Sequence, residues 1–322
     1  MNKRERVVAA IRGERVDCVP SGFSIHFPEG CKEGQAAVNA HLRFFQETDT
    51  DIVKIMNENL VPYMGEIEKP EDFRKYRILG PEEAFITDQV RLTREILSGA
   101  DPEAFSLGTL RGITPSMIHP LMAAGMDYEK ARLFVRDSLR ENPEPVLEAA
   151  QRVADGLCHL ARGYREAGVD GIYYAALGGE ADIFTDEEFE RWVKPFDLQV
   201  MQAIRESGAY CFLHICKAHL NMERYRGYTP YADVVNWGVY EAPYPLTRGR
   251  ELFGGTTIMG GLANQEGVIT DGTEEEIRAE VSRIIREVGR EGFILGADCT
   301  LPGEIGYERI RTAAEAARRV KQ

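Results

Sequence analysis

The sequence predicts an α/β fold, a (β/α)8 TIM barrel built as a single domain over residues 1–322. Three observations predict it. About eight short apolar runs are mostly separated by stretches of helical periodicity, the pattern of a parallel sheet with crossover helices. The composition has no break along the chain, and its length somewhat exceeds the ~250 residues usual for such a barrel. No glycine-rich phosphate turn follows the first apolar run, as the competing doubly wound open sheet would favour.

The elements follow in order. Residues 3–11 read as a short helix that Gly13 ends, and residues 18–23 as the first strand. Residues 36–46 have helical apolar spacing (Ala37, Ala40, His41, Phe44, Phe45), and 51–56 form a second strand ending at Asn57-Glu58-Asn59. Residues 60–82 hold Pro62, Pro70 and Pro81 and read as an irregular excursion. A helix at 83–97 precedes a third strand at 105–110. Residues 117–142 are helical in pieces, and 144–167 form one long helix. The fourth strand is 169–177. Thr185 and Glu188 then make a capping box that opens a helix. Strands follow at 210–216, 234–240 and 256–262. A second capping box, Thr273 with Glu276, starts a helix whose stripe is Ile277, Val281, Ile284, Ile285 and Val288. The last strand is 292–297, and a helix at 305–320 follows it.

Composition narrows the function classes. The chain carries a formal net charge of −13 and no basic block. This argues against nucleic acid and against an anionic membrane as partners. No run approaches the ~20 apolar residues of a membrane span, and the start lacks a signal-type apolar core. A cytoplasmic location is expected. The six cysteines are scattered, so most are expected to be buried small hydrophobes rather than disulfide halves.

The chemistry concentrates in Tyr-Cys-Phe-Leu-His-Ile-Cys at 210–216. Strand alternation puts Tyr210, Phe212, His214 and Cys216 on one face. His214 and Cys216 therefore leave the strand's C-terminal end together. An imidazole nitrogen beside a thiolate is half of a zinc site. Cys299, in Gly-Ala-Asp-Cys-Thr-Leu-Pro, offers a third ligand. Core packing also produces H-x-C pairs, so the set depends on the fold bringing the fifth and eighth strands' ends together. These are not neighbours in an eight-stranded barrel, so Cys299 must lie on a loop over its mouth. Zinc held by one nitrogen and two thiolates is a softened Lewis acid. It suits holding a substrate thiol as thiolate, a good nucleophile toward a methyl donor.

A barrel should also carry its functional residues at strand C-terminal ends. The candidates there are Asn59 after the second strand, Arg111 after the third, Glu180 and Asp182 after the fourth, and Asn264 after the seventh. Arg111 could anchor a substrate carboxylate or phosphate, or serve a surface ion pair. Glu180 and Asp182 could supply a fourth ligand, or be ordinary loop carboxylates. His26 could face the pocket, and Tyr173 and Trp237 read as core or pocket wall.

At this point the residues meet a known pattern. Arg-Val-Val-Ala-Ala-Ile-Arg-Gly-Glu-Arg-Val-Asp-Cys-Val-Pro at 6–20, Phe-Thr-Asp-Glu-Glu-Phe-Glu-Arg-Trp-Val-Lys-Pro-Phe at 184–196 and Gly-Gly-Leu-Ala-Asn at 260–264 resemble the uroporphyrinogen decarboxylase superfamily. The resemblance implies a (β/α)8 barrel over nearly the whole chain. Its decarboxylase branch uses an arginine-bearing N-terminal segment and an aspartate after the second strand. Here those positions read Ser-Gly-Phe-Ser-Ile-His-Phe and Asn57-Glu58-Asn59. Leu213-His214-Ile215-Cys216 and the Gly296 to Pro302 stretch instead resemble the cobalamin-dependent methyltransferases of the methylcobamide:coenzyme M type. In that branch the matching His and two Cys residues bind zinc. One departure is Lys217, where the branch tends to have glycine.

The resemblance thus implies a zinc-dependent methyltransferase. It would move a methyl group between a corrinoid and a small-molecule thiol, in either direction. His214, Cys216 and Cys299 would hold the metal, with Arg111, Glu180, Asp182, Asn264 and Asn59 shaping the pocket. No corrinoid-binding segment of the Asp-x-His-x-x-Gly type occurs, so methylcobalamin or another corrinoid must come on a partner protein. The alternatives are a carboxy-lyase of tetrapyrrole biosynthesis and a metal-holding protein without turnover. The sequence leaves the oligomeric state open, a homodimer included.

Overall fold

The structure, a computed structural model, describes residues 1–242 and 244–320. Its centre is a curled sheet of seven parallel strands in sequential order: β1 (Ile52–Ile55), β2 (Phe105–Arg111), β3 (Gly171–Ala176), β4 (Tyr210–Ile215), β5 (Val234–Trp237), β6 (Thr257–Leu262) and β7 (Phe293–Ala297). The architecture is TIM-barrel-like.

The expected first strand at 18–23 is the main departure. It forms no ladder. It touches both edges of the sheet instead: Gly22 N donates to Leu295 O and Leu295 N to Pro20 O, while Ser21 O accepts from Asp51 N and Ile52 N. Pro20 has no N–H to extend this pairing. Asp51 fixes the segment further. One carboxylate oxygen takes the Ser21 N–H and hydroxyl at 2.9 and 3.1 Å, and the other takes Arg6 at 2.5 Å.

The helices begin and end where local chemistry dictates. Helix α1 (Lys3–Ile11) starts at an Asn2–Glu5 capping box. Helix α2 (Gly34–Thr48) precedes β1 in the chain and α3 (Ala84–Gly99) follows it. The expected broken helical stretch is α4 (Ile113–Ala123) and α5 (Tyr128–Glu141). The long helix α6 (Pro143–Ala167) stops at Gly168, whose φ of 104° suits glycine. Both expected capping boxes form, at the starts of α7 (Asp186–Trp192) and of the fifteen-residue amphipathic helix Glu274–Val288. Helices α8 (Lys194–Glu206) and Tyr307–Arg319 complete the outer layer against the sheet.

Two apolar layers result. The large one lies between the helices and the outer face of the sheet. The small one fills the sheet's interior, where Ile52, Phe105, Leu107, Phe212, Val234, Met259 and Ile294 pack on Val7 and Ala10 of α1. Each such side chain gains ~1.5–3 kcal/mol on burial. This inner plug closes the N-terminal end of the strands. Side chains further along the same inner faces have no plug above them and line a cavity at the other end. On β4 the transition is direct: Phe212 is in the plug, and His214 and Cys216 line the cavity. Among the described residues no helix is long and apolar enough to cross a membrane.

Candidate metal centre

The three residues picked out by their donor chemistry converge. The donor atoms of His214, Cys216 and Cys299 all lie within 4.8 Å of one another. Cys216 Sγ and Cys299 Sγ are 3.7 Å apart, and neither is in a disulfide. Sulfurs ~2.3 Å from a tetrahedral zinc stand ~3.8 Å apart by geometry. The curl of the sheet accounts for the meeting: Cys216 lies one residue past β4 and Cys299 two past β7. The Cys299 loop is tied down on both sides, by Asp298 N to Leu262 O at 2.8 Å and Leu301 N to Ser24 O at 2.9 Å.

His214 is aimed by a residue on the next strand. Asn236, level with it in the β4–β5 register, offers its amide oxygen to His214 Nδ1 at 2.5 Å and to the Tyr173 hydroxyl at 2.6 Å. The Asn236 amide nitrogen donates to Met259 O and Ala297 O at 3.0 and 3.1 Å. Those two carbonyls can only accept, so the amide cannot be flipped. His214 must then carry its proton on Nδ1. Its Nε2 is buried and without a protein partner. Such a nitrogen beside two sulfurs fits a metal ion, and the Asn236 bond is the kind of outer support that ligating histidines use. Tyr173 stacks on the imidazole, with centroids 5.0 Å apart.

The two sulfurs shift each other in opposite directions. The hydrogen bond from Cys216 holds the Cys299 thiol well below its ordinary value, and that same bond, with burial, pushes Cys216 well above it.

The centre opens on a cavity of about 230 Å3 walled by Lys54, Arg111, Tyr128, Tyr173 and Lys217. Lys54, on β1, is 5% exposed, and burial lowers its ammonium to about 8 against the opposing pull of the thiols. Arg111 bonds Asn57 O and Glu58 at 3.3 and 3.2 Å. His26 also reaches Glu58, at 2.9 Å. Burial pushes the Glu58 carboxyl up, but His26 and Arg111 outweigh it and hold it below its ordinary value. Lys217 has a φ of 96°, a backbone that suits glycine, and its ammonium sits 4.6 Å from the Tyr128 ring centroid.

The other expected pocket residues fall elsewhere. Glu180 is buried against Arg132 of α5 and accepts from Gly178 N, where it locks the loop after β3 rather than lining the cavity. Asp182 is exposed on that loop. Asn59 donates to Gln89 at 2.8 Å and faces a separate surface groove. Asn264 donates to Thr300 O at 3.3 Å, steadying the Cys299 loop from behind. Sequence reasoning missed Asn236 and Lys54. Both were visible as polar interruptions of buried strands, in Val-Val-Asn-Trp and Ile-Val-Lys-Ile.

The comparisons with known proteins agree with this architecture. The model of the uroporphyrinogen decarboxylase (URO-D) family matches residues 53–320. The chain belongs to the uroporphyrinogen decarboxylase family. No curated protein is matched by its sequence. Among solved structures, this family member is similar to a methyltransferase from Methanosarcina mazei, with a TM-score of 0.79, 16% identity and 98% of each chain covered. It is also similar to a B12-independent methionine synthase from Shewanella sp. W3-18-1, with a TM-score of 0.58 and 14% identity over 94% of this chain and 97% of that one. A putative B12-independent methionine synthase from Listeria monocytogenes follows, with a TM-score of 0.53 and 14% identity over 88% and 86%. At these identities the likeness is one of fold.

Proposed function

We propose that this chain is a zinc-dependent methyltransferase acting between a corrinoid carried by a partner protein and a small thiol. The observation that carries the reading is the buried, unpartnered His214 Nε2 facing two sulfurs 3.7 Å apart. Zinc bound there would supply the Lewis acidity that holds a thiol as thiolate at neutral pH.

The protein's residues do the rest. His214, Cys216 and Cys299 are the ligands, and Asn236 keeps the His214 lone pair turned toward the metal position. The cavity, at about 230 Å3, is smaller than the 300–1,000 Å3 of drug-sized ligand sites. It accommodates a small thiol, and the corrinoid would meet that thiol at the mouth. The apolar plug beneath and the Tyr173 ring keep water from the inner side. The corrinoid partner is supported by the Leu-His-Ile-Cys resemblance. The methyl-transfer chemistry is supported by that resemblance and by a methyltransferase and methionine synthases of the same fold. The short segment at 20–22 fits the place of the eighth strand of a (β/α)8 barrel.

The test is metal content beside methyl transfer. Purified protein should carry about one zinc per chain, lost in Cys216→Ser and Cys299→Ser, and should methylate a thiol from methylcobalamin. A chain that stays metal-free after incubation with zinc would overturn the reading and leave the decarboxylase alternative.

A further inference from the structure

Lys54 is the buried charge that the proposed site has not yet used. It stands in mid-strand on β1 with 5% exposure and lines the same cavity as the cluster. Its ammonium sits over the Tyr173 ring, 3.3 Å from the centroid, and that ring stacks on His214. Among the described residues it has no carboxylate within ion-pair distance, unlike Arg6, Arg111 and Arg132, which all have one.

Magnitudes show that the ring alone does not account for it. Even a desolvated cation–π contact returns less than burying an ammonium costs. An anion would supply the remainder, and the sulfurs of Cys216 and Cys299 line the same cavity. A divalent ion with two cysteine thiolates is neutral, and a third thiolate leaves the centre with one negative charge.

We propose that the Lys54 ammonium is the built-in counter-charge of the substrate-bound centre, offsetting the third thiolate when a thiol joins Cys216 and Cys299. This rests on the zinc reading above. It assigns Lys54 to binding of the thiolate form whatever else the thiol carries, since the charge being offset lies on sulfur. In the empty protein the lysine is a liability, and in the complex it is an asset.

The experiment exploits that reversal. Wild type, Lys54→Met and Lys54→Arg are loaded with cobalt(II), and mercaptoethanol, a neutral thiol, is titrated in. Binding is followed by thiolate-to-cobalt charge-transfer absorption. Lys54→Met should take up cobalt as wild type does but bind mercaptoethanol about tenfold or more weakly, with Lys54→Arg recovering part of the loss. The metal-free Lys54→Met protein should melt at a higher temperature than metal-free wild type. Equal thiol affinity in Lys54→Met and wild type would overturn the inference. So would a lower melting point of the metal-free variant, which would make Lys54 a structural strut on Tyr173. A wild type that takes up no cobalt overturns the zinc reading and this inference with it, so the two failures are told apart.

Discussion

His214 Nδ1 and Asn236 Oδ1 are 2.5 Å apart, and this contact decides which nitrogen of the imidazole is left for the sulfur side. Asn236 can play only the acceptor there, because its amide nitrogen is committed to Met259 O and Ala297 O. Asn236→Ala should therefore weaken zinc binding 10–100-fold, the usual cost of losing such a support. It also strands two buried carbonyls, at ~1–3 kcal/mol. Competition against a chelating zinc indicator, on protein shown to be folded, checks the first effect. An unchanged affinity would remove Asn236 from the account.

Glu180 and Arg132 form a buried ion pair that ties the loop after β3 to α5. Burial raises the Glu180 carboxyl, and Arg132 opposes that rise. Removing Glu180 leaves Arg132 with only the exposed Glu129, at 3.0 Å, as its partner. Glu180→Ala should cost ~1–3 kcal/mol of stability while metal stoichiometry stays at the wild-type level. Thermal unfolding and metal analysis on the same sample decide it. Loss of metal without loss of stability would return Glu180 to the site.

Lys217 holds a φ of 96°, which side chains rarely adopt. Lys217→Gly should relieve that strain and stabilise the fold by about 1 kcal/mol, read as a shift of the urea midpoint at unchanged slope. A destabilised glycine variant would mean that the lysine's contact with the Tyr128 ring outweighs the strain.

Asp197 is fully buried and accepts from the Tyr174 and Tyr228 hydroxyls at 2.5 and 2.8 Å. Burial raises its carboxyl from 3.8 to about 7, against those two bonds. The folded chain thus keeps a proton that the unfolded chain has released across that window. Its contribution to stability is complete below 3.8, falls as pH rises, and is gone above about 7. The full swing is ~4 kcal/mol. Asp197→Asn has no proton to lose there, so its stability relative to wild type should climb across the window. Urea unfolding of both proteins at steps from about pH 4 to pH 8 measures it. A constant difference would show that Asp197 titrates normally.

What the sequence determined by itself was local. Periodicity and capping chemistry located Lys3–Ile11 and the two capped helices, because a helix end depends on residues three or four positions apart. Strand alternation put His214 and Cys216 on one face for the same reason. Tertiary structure decided everything that needed distance along the chain. The curl of the sheet carried Cys299 from the end of β7 to Cys216 at the end of β4. Register placed Asn236 beside His214, and Lys54 reached the cavity from β1. Glu180, Asp182 and Asn59 follow strand ends as expected, yet Arg132 and Gln89 hold Glu180 and Asn59 away from the cavity and Asp182 is exposed on its loop. The strand expected at 18–23 became a single bridge at Ser21 with hydrogen bonds to both sheet edges, since ladder formation depends on what the two edges can exchange with Pro20 and its neighbours. A side chain's residue type fixes what it can do chemically. Which groups it meets is set by contacts between strands that the sequence alone does not order in space.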